Sequence, residues 1–243
     1  SNIQIDNLLI NNPGENAEII IKIFNSNLIL DSGIIENLVS SELNSSVIVS
    51  LNSEMIINDF TIQNNYTFDD GTVKIYNSDF LGNNLYFNNN QLDFGQGGAI
   101  NIFQSEIEIY NSIFENNSAP TGGAISSLSS QLYIENCNFE NNSSNMGGAI
   151  NHSGDILIID HCKLSENIAE SGGAISAIFS DVYFEKSICD NNTAQLAGGC
   201  IEVNEGSLFL GFSNIINNNS FSNGLNIFGY NSDVFILSSI LMK

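Results

Sequence analysis

Short runs in which apolar and polar residues alternate recur along the chain: Ile107-Glu108-Ile109, Leu132-Tyr133-Ile134, Ile156-Leu157-Ile158, Val182-Tyr183-Phe184, Leu208-Phe209-Leu210 and Val234-Phe235-Ile236. A period of two places successive side chains on opposite sides of a strand, so each run predicts a short strand with one buried face. No window shows the i, i+3, i+4, i+7 spacing of an amphipathic helix. With this parity Tyr133, Leu157, Tyr183, Phe209 and Phe235 fall on the outer side of their strands. They form a candidate interaction stripe unless another loop covers them.

The strands sit inside a repeat. Gly97-Gly98-Ala99-Ile100 returns as Gly122-Gly123-Ala124-Ile125, Gly147-Gly148-Ala149-Ile150, Gly172-Gly173-Ala174-Ile175 and Gly198-Gly199-Cys200-Ile201, at steps of 25, 25, 25 and 26 residues. Between these marks lies Phe-x-x-Asn, read as Phe114…Asn117, Phe139…Asn142, Leu164…Asn167 and Cys189…Asn192, with Phe80…Asn83 upstream. One such unit cannot bury its apolar face alone, whereas stacked copies can. The pattern therefore predicts an all-β, right-handed parallel β-helix of about ten coils. Residues 1–243 read as a single domain, with degenerate coils over 1–70 and regular coils over 71–243. Apolar, strand-like residues at both ends lead to the expectation that the chain belongs to a longer protein or an assembly.

The repeat gives most chemistry-bearing residues a structural reading. The glycine pairs allow left-handed backbone and close approach at a corner; with no helix start and no nearby Lys they do not cradle phosphate. Asn117, Asn142, Asn167 and Asn192 are in register and predict a ladder of side-chain amides. Cys137 and Cys162 occupy the position of Ser112 and Ser187 in neighbouring coils. Inward and one rung apart, they are read as a disulfide or as two small buried thiols, while Cys189 and Cys200 are expected buried and unpaired. Sequons begin at Asn44, Asn65, Asn116, Asn141, Asn142, Asn151, Asn191 and Asn218. Of these, Asn116, Asn141 and Asn191 share one turn position, so a row of glycans is expected if the chain passes through a eukaryotic secretory pathway.

Composition narrows the function. Against 27 Asp and Glu stand five Lys and no Arg, for a formal net charge of −22. Such a chain cannot neutralise a phosphate backbone, and an anionic membrane surface repels it. No apolar run approaches the ~20 residues of a membrane-spanning helix. Glu115, Glu140 and Asp190 are expected in one column. Asp69-Asp70-Gly71 is the best local candidate for a bound cation, although no dedicated calcium spacing or zinc spacing occurs. His152 and His161, with Asp155 and Asp160, are the one cluster that bears testing for catalysis. An active site would interrupt the repeat with long insertions, and the step stays at 25–26. The expectation is a protein that is not an enzyme and uses no cofactor.

The linked GGAI and Phe-x-x-Asn motifs over residues 71 to about 226 resemble the polymorphic outer-membrane protein repeat of chlamydial, other bacterial and protist surface proteins. The resemblance implies a β-helix projecting from a cell surface, in a family where several members are adhesins. It departs from the bacterial members in showing no C-terminal membrane barrel and no signal peptide, and in a heavy Asn and Ile bias. Residues and resemblance together predict a secreted structural or adhesive rod that self-associates into filaments or a coat. Carbohydrate binding or processing is the alternative, with glycans as the partner.

Overall fold

The computed structural model describes residues 1–11, 19–41, 43, 45–68 and 71–242. Asn44, Asp69 and Asp70 lie outside the described residues, and with them one sequon and the acidic turn. Among the described residues the chain is all-β, with 67% strand and no helix, and winds into a parallel β-solenoid of about nine turns.

Each regular coil contributes three faces. On the first, Glu106–Tyr110 stacks on Gln131–Glu135; on the second, Ile113–Glu115 stacks on Asn138–Glu140; on the third, Ile100–Phe103 stacks on Ile125–Leu128. Partners are one repeat apart, as in Ile107 opposite Leu132 and Val182 opposite Leu208. The described residues before 70 lie on the same ladders: Ile3, Leu28, Met55, Phe80 and Ile107 follow one another without a break. A narrow ribbon of Ile168–Ser171, Thr193–Ala197 and Asn219–Ser220 leads into the glycine corners.

Corners explain much of the asparagine. Asn111 and Asn136 turn the chain from first face to second with φ of 51° and 53°, and Asn116, Asn141 and Asn191 turn it again with φ of 56°, 56° and 57°. The left-handed region costs most L-residues about 1–2 kcal/mol, but Asn enters it readily. At the third corner Gly122 has φ +61°, and a Cβ on Gly123 would collide with the carbonyl oxygen of Gly148 in the next coil. The first glycine therefore answers a backbone angle and the second a close contact between coils.

Inside, identical positions stack. Phe87, Phe114 and Phe139 lie nearly parallel with centroids 5.1 and 4.7 Å apart, and the column continues through Leu164, Cys189 and Ile215. This register corrects the upstream motif. Phe80 belongs to the first face, opposite Ile107, so the copy of Phe-x-x-Asn preceding Phe114…Asn117 is Phe87…Asn90.

The asparagine ladder is fully buried and longer than the motif indicated. Asn65, Asn90, Asn117, Asn142, Asn167, Asn192 and Asn218 are each 0–1% exposed. Asn142 shows the pattern: its Oδ1 accepts from the backbone N–H of Asn117 (2.9 Å) and from Asn117 Nδ2 (3.1 Å). Its Nδ2 donates to Asn167 Oδ1 (3.0 Å) and to the Phe114 carbonyl (2.9 Å). The ladder thus satisfies backbone groups that a β-corner would otherwise leave buried and unpaired.

Two further ladders use hydroxyls and thiols. The N–H groups of Ser26, Ser53, Ser78 and Ser105 donate to the Oγ of Ser53, Ser78, Ser105 and Ser130. Cys137 and Cys162 stand in the second such row. The Ser112 N–H donates to Cys137 Sγ, Cys137 N–H to Cys162 Sγ, and Cys162 N–H to Ser187 Oγ.

Candidate functional site

Among the described residues two outward columns keep apolar side chains from coil to coil: one on the third face, through Phe24, Leu51, Tyr76, Phe103 and Leu128, and a longer one on the first face, which carries the aromatic stack and the acidic borders. The members of the first-face column are Gln4, Ile29, Ile56, Leu81, Glu108, Tyr133, Ile158, Tyr183, Phe209 and Phe235, each opposite the next. Tyr133, Tyr183 and Phe209 are half-buried and Phe235 is exposed, so no loop covers them. Leu157 is not a member: it pairs with Leu132, is 0% exposed and belongs to the core, while Ile158 holds the outward place. In the run Ile156-Leu157-Ile158-Ile159 every residue is apolar, so alternation alone leaves the phase open. Stepping 25 residues from Tyr133 settles it.

Carboxylates border this column on both sides. Glu54, Asp79 and Glu106 follow one another on one flank; Glu135, Asp160 and Glu185 do so on the other. Shallow grooves of about 400, 280 and 170 Å³ run beside Ile29 and Ile56, Leu81, and Tyr133 and Ile158. The phenols are tied to the carboxylates: Tyr110 donates to Glu108 Oε2 and Tyr133 to Glu135 Oε2, each at 2.8 Å. Burial, then the Glu108 bond, pushes the Tyr110 phenol up to about 12; the Glu135 bond, then burial, raises that of Tyr133. Both remain protonated donors.

Ring orientation decides what the aromatic end of the column can bind. Tyr183, Phe209 and Phe235 stack on one another at 4.6 and 4.8 Å with interplanar angles of 8°. The π faces between successive rings, both faces of Phe209 included, are therefore covered by one another. A sugar platform needs an open ring face, whereas a ridge of ring edges suits a flat apolar surface.

The other sequence candidates are distributed as follows. His152 and His161 are not brought together. His152 points into the core between Ser127 and Ala177, is 0% exposed, and neither ring nitrogen completes a hydrogen bond. Burial holds it down to about 4, opposed only in part by the nearby backbone of Asp155 and Gly154. His161 sits at an exposed corner with φ 52° and Nδ1 2.9 Å from Asp160 Oδ1. Glu115, Glu140 and Asp190 do share a column, interrupted by Ser165.

The disulfide lies elsewhere than at Cys137 and Cys162. Those two are free, buried thiols; the Cys137 thiol beside Cys162, together with burial, raises the Cys162 pKa and keeps it protonated. Cys189 and Cys200 are joined across the core of one coil, with Cα atoms 6.2 Å apart. Both are buried as expected, Cys189 in the Phe column and Cys200 in the Ala column, but they are paired and not free, because these columns face each other within a coil. The sequons divide too. Asn116, Asn141 and Asn191 are exposed at corners, whereas Asn65, Asn142 and Asn218 are ladder members and Asn151 is 6% exposed. Burial withdraws these four as acceptors in the folded chain.

Fold and site together define a parallel β-solenoid repeat protein whose distinctive surface is an apolar column between acidic borders. No protein-family model, no curated protein and no solved structure matches the chain.

Proposed function

We propose that the chain is a non-catalytic structural or adhesive rod of an extracellular surface, right-handed as parallel crossovers generally are, that assembles side by side through its first face. The observation that carries this reading is the outward apolar column that runs through Ile29, Ile56 and Leu81, is broken by Glu108, and resumes from Tyr133 to Phe235. Apolar surface repeated on a regular scaffold marks an interaction site, and a repeat array delivers it over successive coils. The Cys189–Cys200 bond supports an oxidising compartment, and the exposed row Asn116, Asn141 and Asn191 supports glycosylation there. Resemblance of the repeat to surface β-helix proteins supports the same setting.

Charge sets the conditions of assembly. Bringing two first faces together opposes carboxylate columns, and the repulsion falls as the Debye length shrinks from about 8 Å at 0.15 M salt to about 3 Å at 1 M. Sedimentation of the wild type should show monomers at low salt and larger species at 1 M NaCl. Tyr183→Ser with Phe209→Ser should stay monomeric at both while keeping the wild-type circular dichroism. Monomers at every salt and concentration, or equal association of the double variant, would refute lateral assembly through this face.

A further inference from the structure

At the corner where the first face ends, two successive coils place three metal-binding side chains together, and we propose that Glu135, Asp160 and His161 form a site for a divalent transition metal of the zinc type. Their ligand atoms all lie within 4.8 Å of one another. Ions bonded at about 2.0–2.2 Å to imidazole nitrogen and carboxylate oxygen can join them after small side-chain rotations. The imidazole separates this set from the acidic columns elsewhere on the rod and directs it toward zinc, copper or nickel in preference to calcium or magnesium.

Two features of the donor atoms point the same way. Asp160 Oδ1 is enclosed and completes no hydrogen bond, although His161 Nδ1 approaches to 2.9 Å and Lys186 Nζ to 3.6 Å. A buried carboxylate oxygen lying against an imidazole nitrogen without hydrogen-bond geometry is what a shared cation would resolve. The other carboxylate is already oriented: Tyr133 donates to Glu135 Oε2 at 2.8 Å, which leaves Oε1 for a metal and supplies the outer support that ligating carboxylates ordinarily have.

The scaffold holds the set in place. Glu135 and Asp160 are opposite each other on adjacent rungs, and the corner is pinned by Asn136 N–H to the Asp160 carbonyl and His161 N–H to the Glu185 carbonyl, both at 3.1 Å. His161, at φ 52°, sets its Nδ1 2.9 Å from Oδ1 of Asp160, the last residue of the preceding strand. Its side chain is 47% exposed, so water can complete the coordination. The Lys186 ammonium is the competitor: it stands where the second charge of a bound ion would act.

Titration of the full chain with Zn²⁺ by calorimetry, and with Co²⁺ by visible absorption, tests the site. One saturable ion per chain is expected, with Co²⁺ bands characteristic of nitrogen and oxygen ligands. Asn occupies the equivalent corner position in the coil below, so His161→Asn retains the turn. It should weaken binding by at least ten- to a hundred-fold and abolish the Co²⁺ signal. Asp160→Asn should weaken it as well, and Lys186→Gln should tighten it. Absence of saturable binding, or equal affinity in His161→Asn, would overturn the proposal.

Discussion

Replacing Asn142 with Ala tests whether the buried amide ladder holds the coils together. Asn142 is 0% exposed and makes four side-chain hydrogen bonds, two as acceptor and two as donor. Truncation leaves the Asn117 N–H without its acceptor, while Asn117 Nδ2 keeps only its bond to the Phe87 carbonyl at 3.0 Å. Phe114 and Asn167 each lose a donor. An orphaned buried donor costs about 1–3 kcal/mol and each of the three remaining lost bonds about 1 kcal/mol, for a total of about 4–6 kcal/mol. For a chain of this size that corresponds to a melting temperature about 8–24 °C lower. Asn141→Gly is the matched control: Asn141 is exposed at φ 56°, where glycine fits, so its stability should stay within about 0.5 kcal/mol of the wild type. Thermal melts followed by circular dichroism make the comparison. A melting temperature for Asn142→Ala within 2 °C of that of Asn141→Gly would refute the reasoning.

The buried imidazole and the glycine corner give two more outcomes. His152 titrates near 6.5 when unfolded but is held at about 4 in the fold, so acid favours the unfolded chain. Stability unaffected above pH 6.5 should fall by about 3 kcal/mol as pH drops from 6.5 to 4, and His152→Leu should remove that share of the loss; parallel pH curves for the two proteins would contradict it. Gly123→Ala forces a methyl into the Gly148 carbonyl of the next coil and should cost about 2–3 kcal/mol in urea unfolding, with an unchanged midpoint counting against the close contact.

What the sequence made legible was whatever repeats. The 25-residue step located the glycine corners, the Phe and Asn columns and the position shared by Ser112, Cys137, Cys162 and Ser187, because stacking coils in register forces like onto like. Two things escaped it for separate reasons. The inward place of Leu157 is hidden because an unbroken apolar run carries no parity. The Cys189–Cys200 pair escaped because it is a contact across one coil, perpendicular to the direction in which the repeat speaks. The proposed metal set is legible in part: His161 follows Asp160 directly and the 25-residue step sets Glu135 opposite Asp160, whereas the approach of the imidazole to both carboxylates is a matter of side-chain placement that neither spacing nor alternation encodes.

The three side-chain ladders share a direction. In each, the backbone N–H of an earlier coil donates to a side chain of the coil that follows: Ser53 to Ser78, Cys162 to Ser187, Asn117 to Asn142. At these ladder positions a coil is finished by its successor, while other N–H groups, such as that of Asn138 donating to the Ser112 carbonyl, are met by its predecessor. For a chain that emerges from the ribosome or a secretion pore N-terminus first, the unsatisfied groups stay confined to the most recent coil. The rod can grow by adding one turn at a time to a template already complete behind it. The same polarity makes its two ends chemically unlike, one presenting waiting donors and the other the side chains that receive them.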